Sequence, residues 1–147
     1  ALSRVGRWLV LGFKDGNLEL VPTAADLERP RFAFEAVPAS PVRRVIPGPM
    51  DTVVIGYDNG VYGIWYMLNG ARLYAAQLHG PIVHLALHSG KLYAASELGQ
   101  YRVEDLAIFY QSYCEVMRDV WANEPVLWRG GQPVLEQPPE DHPCASP

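Results

Sequence analysis

Three windows of this chain repeat one another, and a repeat at their spacing restricts the fold more than any other feature. They are Val10–Leu18, Val54–Tyr62 and Tyr93–Tyr101. Each reads as an apolar pair, a small residue, a short polar turn, a glycine and then an alternating strand. The turn glycines are Gly16, Gly60 and Gly99, separated by 60 − 16 = 44 and 99 − 60 = 39 residues. Asp15-Gly16 and Asn59-Gly60 accept positive φ, which a tight hairpin between right-twisted strands requires. Asn69-Gly70 follows the run Trp65–Leu68, and Ser89-Gly90 separates Ile82–His88 from Leu92–Ala95, so both mark further hairpins. Gly16, Gly60, Gly70, Gly90 and Gly99 are therefore the expected structural turn residues. The expected class is mainly β, with short antiparallel strands joined by regular turns.

β-Propeller blades recur about every 40–45 residues, and the stretch His79–Asp105 resembles one blade of the WD-repeat family. In that family a Gly-His pair precedes the first strand and a Trp-Asp pair closes the third. Here His79-Gly80 and Val103-Glu104 stand near those places, and Trp65-Tyr66 holds the second place in the middle repeat. The resemblance spans roughly residues 8–105 and implies about two to three antiparallel blades. The segment Pro22–Pro49 interrupts the first two repeats, with Phe32–Val37 as its one strand-like run. Propellers close with at least about four blades, so the resemblance implies an incomplete ring: partner chains complete it, or the blades form an open stack capped by other elements, or the chain is part of a larger protein. The run from Asp105-Leu106 through Phe109-Tyr110 to Val120-Trp121 is also similar to the propeller subunits of bacterial systems that pair a MoxR-type ATPase with a von Willebrand factor A protein.

After the strands the period changes. Leu106, Phe109, Tyr110, Tyr113, Cys114, Met117, Val120 and Trp121 recur at three- and four-residue steps, which predicts one long amphipathic helix over 106–122. Asp105 is its expected N-cap, and Asn123 with Pro125 its stop. The aromatic stripe either packs on the chain's own sheets or docks into a partner's groove, and the second reading makes Phe109, Tyr110, Tyr113, Met117 and Trp121 candidate partner-binding residues. Residues 129–147, rich in Pro, Gly and Glu, read as a flexible tail, so the expected organisation is an incomplete propeller over 1–128 followed by that tail. Cys114 and Cys144 could pair, but no framework surrounds them. The opening residues show no secretory leader, so free thiols and a cytoplasmic location are expected.

The formal net charge of −4 argues against nucleic-acid binding, and no apolar run is long enough for a membrane span. His79, His84 and His88 are the best metal candidates, but His84 and His88 lie about 13 Å apart along an extended strand, too far to share an ion. Cys114 falls on the helix stripe, where a thiol is ordinarily inert packing. No nucleophile elbow, phosphate loop or dinucleotide fingerprint is present. The reading is therefore a chain without catalytic residues, cofactor or metal. It is expected to act as a protein-binding scaffold through a protein partner or self-association. The alternatives are a propeller subunit of an ATPase-linked assembly and a fragment of a propeller-type enzyme.

Overall fold

In the computed structural model, the structure describes residues 1–26, 28, 30, 32–35, 37 and 39–145, with the backbone alone at residue 128. The chain divides into two units, Ala1–Leu106 and Ala107–Pro147. The boundary falls just after Leu106, the first residue of the predicted helix.

The first unit holds three antiparallel meanders. One joins β1 (Leu2–Val5), β2 (Trp8–Gly12) and β3 (Leu18–Pro22). The next joins β4 (Val42–Pro47), β5 (Thr52–Tyr57), β6 (Val61–Tyr66) and β7 (Arg72–Gln77). The third joins β8 (Ile82–His88), β9 (Lys91–Ser96) and β10 (Tyr101–Asp105). Within each sheet, neighbours in sequence are neighbours in space, as short hairpin turns dictate. Gly16, Gly60, Gly70, Gly90 and Gly99 all sit in turns at positive φ. The first strands of the three sheets, β1, β4 and β8, lie beside one another in that order.

The second sheet is the sandwiched one. Val53, Val54, Ile55 and Tyr57 on β5 and Tyr62, Ile64 and Trp65 on β6 are fully buried. Successive residues of a strand face opposite sides, so burial of an unbroken run means that both faces are covered. One face carries Val53, Ile55, Tyr57 and Trp65, which cluster with Val10 and Leu20 of the first sheet. Each such aliphatic side chain contributes about 1.5–3 kcal/mol on burial. The Trp65 indole N–H donates to the Glu35 carbonyl at 2.8 Å, so its polar edge is satisfied inside the core.

The run expected as a strand at Phe32–Val37 is not one: residues 32–35 and 37 are irregular, and Ala36 lies outside the described residues. Phe34 and Val37 are nonetheless buried in the core. The Glu35 N–H donates to the Gly70 carbonyl, which ties this segment to the β6–β7 turn.

The second unit departs most from expectation. The predicted helix over 106–122 is a short 3-10 turn, Ala107–Tyr110, followed by α1, Tyr113–Asn123. Asp105 ends β10 and is not the cap. Ser112 caps α1: its hydroxyl accepts from the Glu115 N–H, and the Glu115 carboxylate accepts from the Ser112 N–H. This reciprocal pair is a capping box, and it starts the helix two turns later than the apolar stripe alone indicates. The tail is structured in part. β11 (Val126–Arg129) pairs with β12 (Gln132–Leu135), a two-stranded sheet that is the fourth among the described residues. Cys114 and Cys144 form a disulfide, so neither thiol is free. The final pair of the expected tail, Ser146 and Pro147, lies outside the described residues. No helix among the described residues is long and apolar enough to cross a membrane.

Candidate functional site

The turn glycines align the three sheets residue by residue: adding 44 carries the first onto the second, and adding 39 carries the second onto the third. On this alignment the face that each sheet turns to the next consists of four equivalent positions on its second and third strands. In the first sheet they are Val10, Gly12, Leu18 and Leu20. Val10 and Leu20 are buried, and a Cβ added at Gly12 would overlap Val42, on the first strand of the second sheet. In the second sheet they are Val54, Gly56, Tyr62 and Ile64. The added Cβ at Gly56 would overlap Ile82 and meet Leu85 at 3.2 Å, on the first strand of the third. One packing rule is thus used twice: a glycine on the second strand admits a branched side chain from the next sheet's first strand.

In the third sheet the four positions are Tyr93, Ala95, Tyr101 and Val103, which share one face by register. None of them is buried; Tyr101 is 78% exposed and Val103 42%. The turn glycines show the same break. A Cβ at Gly16 or Gly60 would strike carbonyl oxygens of the chain entering the next sheet, while Gly99 has nothing within 4 Å.

The opposite faces complete the pattern. Val53, Ile55, Tyr57 and Trp65 of the second sheet, wholly buried, correspond to Leu9, Leu11, Phe13 and Val21 of the first. Leu9, Leu11 and Val21 are half-buried, and Phe13 is exposed. Leu2 joins them by pairing with Leu11. The positions closed inside the series are therefore apolar and half-buried or exposed on its two end faces.

The second and third sheets are also linked by a polar bridge. The Tyr62 hydroxyl donates to Glu104 Oε1 at 2.7 Å, and Arg102 pairs with the same carboxylate at 2.9 Å. Burial pushes the Glu104 carboxyl up, but hydrogen bonds from Tyr74 and Tyr62 and the Arg102 charge outweigh this and hold it below its ordinary value. Tyr62 is pushed up by burial and by Glu104, and Tyr74 up to about 12 for the same reasons. An ionised acid ringed by neutral hydroxyls is an anchor, with no spare proton acceptor beside it.

The histidines do not converge. His84 and His88 are exposed on β8, opposite Ala95 and Lys91, while His79 precedes the strand and its backbone N–H donates to Gln100 Oε1 at 2.9 Å. Among the described residues no three His, Cys, Asp or Glu side chains gather as a metal site. A depression of about 540 Å³ runs along β7 and is lined by Val61 and residues 72–77, with no carboxylate or imidazole. Of the helix candidates, Tyr110 and Tyr113 are exposed, Phe109 and Trp121 are half-buried, and Met117 is buried in its own unit. Trp121 stacks edge-on to His142, with ring centroids 4.9 Å apart, and donates its indole N–H to the Val126 carbonyl. Met117 and Trp121 are thus engaged within the second unit.

No known family profile matches this chain, and no curated protein matches it. Solved structures do. The computationally designed Ika4 protein matches at a TM-score of 0.62 and 19% identity, over 72% of this chain and 64% of that one. The designed Ika8 protein matches at 0.60 and 19%, over 70% and 31%. BamB from Moraxella catarrhalis matches at 0.55 and 17%, over 69% and 30%. This chain thus spans less than two thirds of the length of each. A designed propeller and BamB, itself a propeller, share the arrangement, and the chain has a mainly β, propeller-like fold of antiparallel sheets.

Proposed function

We propose that the chain is a non-enzymatic propeller segment of three blades that binds protein through its open end faces. One observation carries this reading: positions wholly buried between sheets inside the chain are apolar and half-buried or exposed at both ends of the series. Contiguous apolar surface of this kind marks interaction sites on soluble proteins. Blades suit the role because their backbones are satisfied internally while their faces remain free to vary. The likeness to WD-repeat blades, and to the propeller subunits of MoxR–von Willebrand factor A systems, stands on sequence alone and accords with membership of an assembly. The Cys114–Cys144 disulfide favours an oxidising compartment over the reducing cytoplasm expected from the sequence.

The reading is tested with an apolar dye. Dilute wild-type protein should take up dye, and Tyr101→Ser combined with Val103→Thr should lower the uptake at least twofold with an unchanged melting temperature. Equal uptake by the two proteins would contradict it.

A further inference from the structure

We propose that the outer edge of β7 takes an extended peptide as a further, antiparallel strand of the second sheet, with a carboxylate opposite Arg72. This edge is separate from the end faces, so the proposal goes beyond the reading above.

β7 is the last strand of its sheet, and among the described residues β6 is the one strand paired with it. The Leu78 N–H donates to the Gly60 carbonyl at 3.0 Å. Residues at even steps from Leu78 therefore exchange backbone bonds with β6, namely Ala76 opposite Tyr62 and Tyr74 opposite Ile64. Ala75 and Gln77 alternate with them and turn their N–H and C=O groups away from the sheet. Such a row is what an added strand pairs with.

The three outer edges differ in how they resist addition. β3 ends in Pro22 and shares a depression with Phe32 and Phe34. β10 carries Arg102, Glu104 and Asp105 among its five residues. Proline, cover and charge are usual means of blunting an edge. Over residues 73–77, β7 has no proline and no charge, and its pairing to β6 is regular over residues 74–77. The depression of about 540 Å³ runs along this same strand. Ala75 and Ala76, small and on opposite faces, leave room on both sides of the sheet. The occupant that fits has large side chains at the two positions facing them. Arg72, exposed at the end of the strand, is its one charge and favours an acidic residue opposite.

The probe is the peptide threonine-isoleucine-valine-threonine-threonine-glutamate, with a dye at its N-terminus and an amide at its C-terminus. Antiparallel pairing sets its isoleucine opposite Ala76, its valine opposite Ala75 and its glutamate opposite Arg72. Fluorescence anisotropy should show saturable binding. N-methylation of the valine, whose N–H would meet the Ala75 carbonyl, should weaken binding at least tenfold. N-methylation of the isoleucine, whose N–H points away from β7, should change it less than twofold. Ala75→Pro removes an outward N–H and no bond to β6, so it should fold normally by circular dichroism and bind at least tenfold more weakly. Lysine in place of the peptide's glutamate should weaken binding about threefold, and Arg72→Glu should reverse that preference. Tyr101→Ser combined with Val103→Thr should leave peptide binding unchanged, so this proposal and the end-face reading fail separately.

Absence of saturable binding would overturn the proposal. Equal weakening by the two methyl groups, a comparison that needs no protein variant, would also overturn it, as would undiminished binding to folded Ala75→Pro.

Discussion

Gly60 and Gly99 are equivalent residues in equivalent turns, at φ 83° and 79°, yet their surroundings set different costs for a side chain. A Cβ at Gly60 would overlap the carbonyl oxygen of Leu78, whereas at Gly99 it meets nothing within 4 Å. Gly99→Ala carries only the left-handed backbone penalty, about 1 kcal/mol. Gly60→Ala adds a backbone clash, for a total of about 2–4 kcal/mol. Chemical denaturation of the two variants checks this, and equal losses would contradict it. Glu104 is the second decisive residue. Its carboxyl is held below its ordinary value of 4.5 in the fold, so its contribution is full above that pH and fades as pH falls through the lower, folded value. Tyr62 and Tyr74 are raised above 10.0, so the fold favours their neutral forms, a contribution present below that pH and lost as pH rises past it. Glu104→Gln should be less stable than wild type by about 1–3 kcal/mol near neutrality. The gap should close below about pH 4, and stability measured against pH decides it.

At the scale of elements, α1 depends on its ends. Ser112→Ala removes one half of the capping box and should cost the second unit about 1 kcal/mol. Opening the Cys114–Cys144 bond releases a loop closed over 144 − 114 = 30 residues of separation, which should cost that unit about 3–4 kcal/mol. Melting with and without reductant should therefore show a shifted transition for α1 and β11–β12 and an unshifted one for the sheets of the first unit. The turns that build those sheets were legible in the sequence because Asp-Gly, Asn-Gly and Ser-Gly carry their own backbone chemistry. The helix start was not, because an apolar stripe continues through a 3-10 turn at the same three-residue step, whereas Ser112 and Glu115 mark the true boundary. The disulfide was hidden for another reason: Cys114 and Cys144 are brought together by the fold around β11 and β12, and no local pattern encodes that approach. Phe32 and Phe34 looked strand-like because they alternate, but their backbone pairs with a turn, through Glu35 and Gly70, rather than with a strand.

At the scale of the whole molecule, the repeat was legible in the sequence, and which of its faces stay uncovered was not. The candidate site was sought on the helix stripe, at Phe109, Tyr110, Tyr113, Met117 and Trp121. The sheet ends emerge only when equivalent positions are compared for burial. Tyr101 and Val103 had a signal of their own, since their place after Gly99 matches that of Tyr62 and Ile64 after Gly60. The most direct measurement sets one position of that repeat against its equivalent: the rate of maleimide labelling of Val103→Cys against Ile64→Cys in folded protein at nanomolar concentration. Val103→Cys should react nearly as fast as in the unfolded chain. Ile64→Cys should be protected at least a hundredfold at every concentration. Equal protection of both at nanomolar concentration would contradict the account, because the third sheet would then carry no open face.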